Sequence, residues 1–230
     1  PGDDASEALR LRVLTLNIHK GFSAWNRRFV LAELRDAVRS TAADLVFLQE
    51  VVGAPSRARA RHSSSPYYEY LADSLWSDFA YGRNAVHPRG HHHGNAVLSR
   101  FPITHWHNHD ASHRGQEPRG LLHCTLDLRQ GGRLHAICVH LGLREWQRSR
   151  QLDQLAQLVA DEVPYDEGLI VAGDFNDWRG RADPRLDRDA KLESVFAARG
   201  LKTPATFPAR WPLLPLDRIY VRRLAVDSAC

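Results

Sequence analysis

Apolar and polar positions alternate with a period of two over residues 11–18 (LRVLTLNI), which predicts a strand centred on Val13. Residues 27–39 change period: Val30, Leu34, Ala37 and Val38 fall on one helical stripe. Residues 44–48 (DLVFL) form a short, almost wholly apolar run, the mark of a strand buried on both faces. Residues 57–65 are basic and Ser-rich and read as a loop, and 67–76 reads as a helix. Short strands are predicted at 79–82, 95–99 and 103–106, punctuated by Gly and Pro. Residues 121–128 and 133–141 read as a hairpin turning at Gly131-Gly132. A three-residue loop would put Cys124 opposite Cys138 and Leu122 opposite His140. One face would then carry Leu122, Cys124, Leu126, Leu128, Leu134, Ala136 and Cys138, with His140 ending the stripe at the sheet rim. An amphipathic helix follows at 145–160, a buried strand at 168–172, a short helix at 191–198 stopped by Gly200, and a last strand at 218–221. Strands mixed with a few helices, without strict alternation, predict two packed sheets with helices outside.

Nothing divides these elements into separate units: there is no repeat, linker or low-complexity tract. The expected organisation is one domain over residues 11–230, with 1–10 as an N-terminal extension. No apolar run approaches the ~18–20 residues a spanning helix needs, and the polar, acidic start is unlike a secretory signal. The chain has no Met, so Pro1 is not expected to be the encoded start. Three cysteines without a C-x-x-C pair argue against a disulfide framework and point to a reducing, cytoplasmic setting. A net charge of +4 suits an anionic substrate but does not single out nucleic acid.

Candidate chemistry appears where apolar runs end in polar residues. Asn17 follows VLTL, Glu50 follows LVFLQ, and Asp174 and Asn176 follow LIVAG. Strand ends hold side chains rigidly, so such groups can converge on one pocket. Each has a plainer reading: a turn residue for Asn17, a solvated strand end for Glu50, a turn cap for Asp174. Eight histidines between His87 and His113 (87, 91, 92, 93, 105, 107, 109, 113) admit a zinc site, although a polar loop near the site mouth is the plainer reading. His92 or His93 is a candidate phosphate contact. Arg57, Arg59, Arg61, Arg100, Arg114, Arg119, Arg179 and Arg181 are expected on rim loops, solvated singly and able together to hold a polyanion.

The segments TLNIHKG (15–21), LQE (48–50), GNAVLSR (94–100), VHLG (139–142), GDFND (173–177) and LDRIYV (216–221) occur in one order. That series resembles the motifs of the endonuclease/exonuclease/phosphatase (DNase I-like) superfamily, and most closely a bacterial branch with NIHKGF, VHLGLRE and GDFNDWR. The resemblance implies a four-layer α/β sandwich, two stacked mixed β-sheets flanked by helices. It implies a divalent-metal-dependent hydrolase of phosphoester bonds: a phosphodiesterase or nuclease first, a phosphatase or phospholipid head-group hydrolase as the alternative. Mg²⁺ is the expected ion, with Mn²⁺ in reserve, because hard cations take oxygen ligands and neutralise a phosphate under attack. By this resemblance Glu50 is the main metal carboxylate, and Asn17 is a metal ligand or phosphate contact. Asp174 is the general base, Asn176 a donor to phosphate or water, and His140 a phosphate contact. Asp217 is a second metal carboxylate or an orienter, with a salt bridge to Arg218 or another nearby arginine as its plainer reading, and Asn95 a substrate contact. The partner implied is the phosphoester itself, nucleic acid among the candidates, with no obligate protein partner.

Two departures stand out. His19 occupies a position where some abasic-site enzymes of the family carry an acid. The family's terminal Ser-Asp-His motif does not follow Asp217, because the chain closes on DSAC. A missing C-terminal segment is the favoured expectation, and a catalytically impaired binding protein the alternative. Val51-Val52-Gly53 after LQE also differs from the Thr-Lys of abasic-site endonucleases.

Overall fold

The computed structural model describes residues 9–21, 31–54, 67–72, 76, 78–86, 92–208 and 210–230. The predicted loop at 57–65 lies outside them, as do His87, His91, Arg57, Arg59, Arg61 and residues 27–30 of the first predicted helix.

Two sheets form the centre. The smaller has the order β1-β2-β4-β3, from β1 (Val13–Asn17), β2 (Leu45–Ala54), β3 (Asp78–Val86) and β4 (His92–Ser99). The larger has the order β5-β6-β7-β8-β10-β9. Its strands are β5 (Ile103–Asp110), β6 (Gly120–Asp127), β7 (Arg133–His140), β8 (Gly168–Asp174), β9 (Glu193–Ser194) and β10 (Asp217–Arg222). β1 runs parallel to β2 and β7 parallel to β8, while the other pairs are antiparallel, so both sheets are mixed.

Alternation decides what each face meets. Leu45, Phe47 and Val97 of the small sheet pack against Leu122, Cys124, Leu126, Leu134, Ala136 and Cys138 of the large one, making the middle core. Val46, Leu48, Ala96 and Leu98 face outward beneath α1 (Leu31–Ser40) and α2 (Tyr67–Ala72). On the far side Ile137, Val139, Leu169 and Val171 meet α3 (Glu145–Glu162) and α4 (Ala182–Ala190). The result is the α/β/β/α sandwich that the motif series implied. Cys124 and Cys138 are unpaired and buried in the middle core, and Cys230 is exposed.

Three expectations change. The hairpin register is Cys124 opposite Ala136 and Leu122 opposite Cys138, because five residues separate Asp127 from Arg133 and a 3₁₀ turn (Arg129–Gly131) fills the loop. The displacement along the ladder is two residues, an even number, so the same side chains still face the core. The helix expected at 191–198 is instead the short strand β9 followed by one turn, α5 (Val195–Ala198). The helix α4 precedes it and carries Pro184 in its first turn, where a missing N–H breaks no hydrogen bond. β2 also runs six residues past the predicted strand end, and that extension contains an irregularity used below.

The two sheets are bolted together by amides. Asn95 of β4 is fully buried and donates through Nδ2 to Gly120 O (3.0 Å) and Cys138 O (3.2 Å) of the other sheet. Gln49 of β2 donates to Thr15 Oγ1 (3.3 Å) and to Cys138 Sγ (3.4 Å).

Candidate active site

Ladder register places three polar side chains in a row. His140 at the end of β7 pairs with Asp174 at the end of β8, and Asp174 pairs with Asp217 at the start of β10. Directly paired residues share a sheet face, so the three are neighbours. Gly173 makes this crowding possible: a Cβ there would lie 1.9 Å from Val139 O, and its φ is +150°.

The small sheet supplies the other half. Asn17 ends β1 and crosses the gap, donating from Nδ2 to Asp174 Oδ2 at 3.1 Å. Glu50 sits in the register break of β2 between Leu48 and Val51, with φ +55°. A non-glycine residue there is uncommon and is held by its surroundings, as often happens at functional sites. The bulge takes Glu50 out of the ladder and turns its partly buried carboxylate to Lys20 Nζ at 3.7 Å. Asn176 is also left-handed, φ +50°. Its backbone N–H donates to Asp174 Oδ1 (2.9 Å) and its Nδ2 to Leu141 O (2.9 Å).

Both Asp174 oxygens therefore accept hydrogen bonds, yet the carboxyl is pushed up to about 7. Burial is the main cause, and the charges of Asp217 and Glu50 add to it. His140 Nε2 lies 3.7 Å from Asp174 Oδ2. Burial, then the charge of Arg119, holds the His140 imidazole well below its usual range, so it is neutral near pH 7. Burial raises Asp217 too, and its Oδ1 is buried without a hydrogen-bond partner. The salt-bridge reading of Asp217 gives way, because Arg218 reaches Asp183 (3.6 Å) and Thr203 Oγ1 (2.8 Å) instead. Three carboxylates converging on one edge, one raised by the charges of the other two and one with an unpartnered buried oxygen, form a donor set that suits a hard divalent cation.

A second polar group had only partial warning in the sequence. His93 Nε2 meets Glu117 Oε1 at 3.1 Å, and Arg119 Nη2 meets Glu117 Oε2 at 2.9 Å. The hydrogen bond from His93 holds the Glu117 carboxyl down at about 2, with the Arg119 charge assisting. Arg119 is buried, contrary to the solvated rim position expected of it. The loop before β6 folds back through Ala111 N to Arg119 O (2.9 Å) and Arg119 N to Ser112 Oγ (3.1 Å), which draws the guanidinium inward. His93, Glu117, Arg119 and His19 all bias His140 electrostatically, so this group adjoins the carboxylate row. A paired acid and base two residues apart in QEPRG was the available signal.

Other expected contacts are dispersed. Asn95 uses Nδ2 to tie the sheets and has only an acceptor oxygen left, which does not suit an anionic substrate. Arg100 pairs with Asp44 (3.1 Å), Arg181 with Glu145 (2.6 Å), and Arg179 covers Trp178 (4.4 Å). The described histidines of that stretch, His92, His93, His105, His107, His109 and His113, occupy strands β4 and β5 and the turn after β5, not one loop. His92 meets Tyr81 OH at 2.9 Å, His93 meets Glu117, and His109 lies on the outer face of the large sheet.

Comparison with known proteins bears on the family and the fold. The family model described as "Endonuclease/Exonuclease/phosphatase family" matches residues 14–229. The Escherichia coli K12 protein called "Uncharacterized protein YbhP" is 51% identical over 229 residues, covering 98% of this chain and 90% of its own. An endonuclease/exonuclease/phosphatase from Beutenbergia cavernae superposes with a TM-score of 0.72 at 20% identity over 93% of this chain, which spans 64% of that structure's length. Sphingomyelinase C from Streptomyces griseocarneus superposes with a TM-score of 0.64 at 22% identity, covering 95% of this chain and 86% of its own. At such identities these structures speak to the fold, which is DNase I-like.

Proposed function

The chain belongs to the endonuclease/exonuclease/phosphatase family, and from that membership we propose that it is a divalent-metal-dependent phosphodiesterase acting at the edge where Asn17, Glu50, His140, Asp174, Asn176 and Asp217 stand. The observation that carries the reading is Asp174. It is buried, held at both oxygens, and given a proton affinity of about 7 by burial and by two neighbouring carboxylates. A base of that strength is matched to neutral pH.

Glu50 and Asp217 would hold Mg²⁺, or Mn²⁺, with the Asn17 oxygen as a further ligand. When bound, the ion supplies charge neutralisation and polarisation of the phosphoester. Asp174 takes a proton from water as its oxygen attacks phosphorus; the ester P–O bond breaks, and the leaving oxygen departs on the opposite side. Asn17 holds Asp174 Oδ2 in place, and its amide cannot titrate. Asn176, anchored on Leu141 O, has its second amide hydrogen for a non-bridging oxygen. Neutral His140 contributes a hydrogen bond to phosphate. Arg119, fixed by Glu117, supplies positive potential without competing for the carboxylates. The unpaired thiols fit a cytoplasmic setting.

Bis(p-nitrophenyl) phosphate with Mg²⁺ or Mn²⁺ tests this directly. Turnover in the wild type, lost by at least ~10²-fold in Asp174→Ala, is the expected result. A folded, metal-loaded wild type that leaves this diester and nucleic acid intact would return the reading to a binding protein.

A phospholipid head-group hydrolase is the second reading. Exposed Leu143, Trp146, Trp178, Trp211 and Leu213 sit on the segments that leave β7 and β8 and enter β10, all at the active edge. Exposed apolar side chains on the segments next to a polar centre suit an amphiphile. Faster release of head group from phospholipid vesicles than of nitrophenol from the soluble diester would favour it.

A further inference from the structure

A different set of titratable groups lies on the outward face of the six-stranded sheet, beneath the end of α3. His109 of β5, His123 of β6 and Glu162 of α3 have ligand atoms that all lie within 4.8 Å of one another. His109 Nε2 and His123 Nδ1 are each 3.3 Å from Glu162 Oε2. Metal–ligand bonds of about 2.0–2.1 Å at tetrahedral angles set neighbouring donors about 3.3 Å apart. We propose that His109, His123 and Glu162 form a metal site for a borderline transition-metal ion of the Zn²⁺ class, clipping strands β5 and β6 to the C-terminal end of α3. Two imidazoles and one carboxylate suit that class and not the hard ion of the active edge.

The hydrogen bonds behind the site fix the direction in which His123 offers its lone pair. Arg133 Nη2 donates to Glu167 Oε1 at 2.6 Å, and Glu167 Oε2 meets His135 Nε2 at 2.7 Å. His135 Nδ1 meets His123 Nε2 at 2.8 Å. With neutral rings this chain has one consistent polarity. His135 Nε2–H donates to the carboxylate, so His135 Nδ1 accepts, so His123 Nε2–H donates. The lone pair left on His123 Nδ1 then faces the Glu162 carboxylate. Two acceptors at 3.3 Å repel unless a cation stands between them. A proton there would make a cationic imidazole in a buried place, which desolvation opposes. A metal ion meets the same need without that cost. His109 adds a ring nitrogen, Nε2, that is buried and, although 3.3 Å from Glu162 Oε2, is not aligned for a hydrogen bond to it. A ligating histidine whose other nitrogen donates to a fixed acceptor is the usual supporting arrangement of metal sites.

The test uses the full chain without an affinity tag, stripped with EDTA and titrated with Zn²⁺ alone or Co²⁺ alone. The wild type is expected to bind one such ion with visible cobalt d–d bands of imidazole ligation. His109→Ala and Glu162→Gln are expected to weaken this binding at least tenfold, and His135→Gln, acting through His123, about 10–100-fold. Glu50→Gln removes one of the active-edge carboxylates and is expected to leave the cobalt bands unchanged, so the two metal readings fail separately. A wild type without the bands, a folded His109→Ala binding as tightly as wild type, or bands that vanish in Glu50→Gln would each overturn the proposal. Should every variant misfold, zinc-edge X-ray absorption of the wild type decides: two imidazoles and carboxylate oxygen support the site, and their absence rejects it.

Discussion

The active edge and the outward histidine face both bury ionisable groups on the same large sheet, but they hold them by different means. At the edge the backbone is irregular. Glu50 and Asn176 take positive φ, a register break interrupts β2, and Gly173 admits a close approach to Val139. On the outward face His109, His123 and His135 belong to regular strands, and their neighbours follow from ladder register alone. Irregular backbone can aim several like charges at one point, raising proton affinity as a base requires. Regular strands do the reverse: they spread acids and imidazoles into a chain from Arg133 through Glu167 and His135 to His123 in which each group satisfies the next, and only its far end, at His123 Nδ1, His109 and Glu162, is left open. Reactive groups and satisfied groups are thus separated by local backbone geometry more than by composition.

The sharpest way to break this contrast is to neutralise one carboxylate at the edge. Asp174→Asn keeps the shape and removes the base, so diester turnover is expected to fall by ~10³-fold, about 4 kcal/mol in the barrier, with little change in melting temperature. A fall below tenfold would mean that Asp174 only positions others. Gly173→Ala tests the crowding: its Cβ would meet backbone, so stability should drop by about 3 kcal/mol, read by urea unfolding. Asn95→Ala leaves Gly120 O and Cys138 O without their donor and is expected to cost about 2 kcal/mol, with activity at saturating substrate retained.

The smallest effect concerns Glu117. Its folded-state carboxyl is depressed from 4.5 to about 2, first by the His93 hydrogen bond. A depressed carboxyl stabilises the fold above its unfolded value and ceases to do so as pH falls through the folded one. Wild type should therefore lose stability between about pH 4.5 and about pH 2 more steeply than Glu117→Gln. The side chain is half exposed, so the difference is modest. Parallel acid profiles for the two proteins would remove the ion pair from the account.

What could be read from the sequence divides along the same line. Strand ends were legible because apolar runs stop abruptly at Asn17, Glu50, His140 and Asp174, and the structure brings these positions to one edge. Asp217 could be placed only through the motif series, since a single Asp before Arg218 reads equally well as an ion pair. The Glu117–Arg119 pair was missed because its loop is shaped by backbone contacts with no periodic signal. His123 and His135 were passed over for a physical reason. Within an alternating strand they look like ordinary outward polar positions, and only the register of three strands with the end of α3 shows what they face. The helix α4 was not foreseen: it is short and carries Pro184, which is tolerated because it sits in the first turn.

The placement of the three thiols has a practical consequence for labelling. Cys124 and Cys138 lie in the middle core, where burial raises both thiols, Cys138 to about 12, while Cys230 is exposed. Because the thiolate is the reacting species, a maleimide dye applied at neutral pH should mark the folded chain once, at Cys230. The remaining two sites become reactive only when the sheets separate. Dye stoichiometry rising from one towards three would then report sandwich opening in real time, without a tryptophan signal or an enzymatic assay.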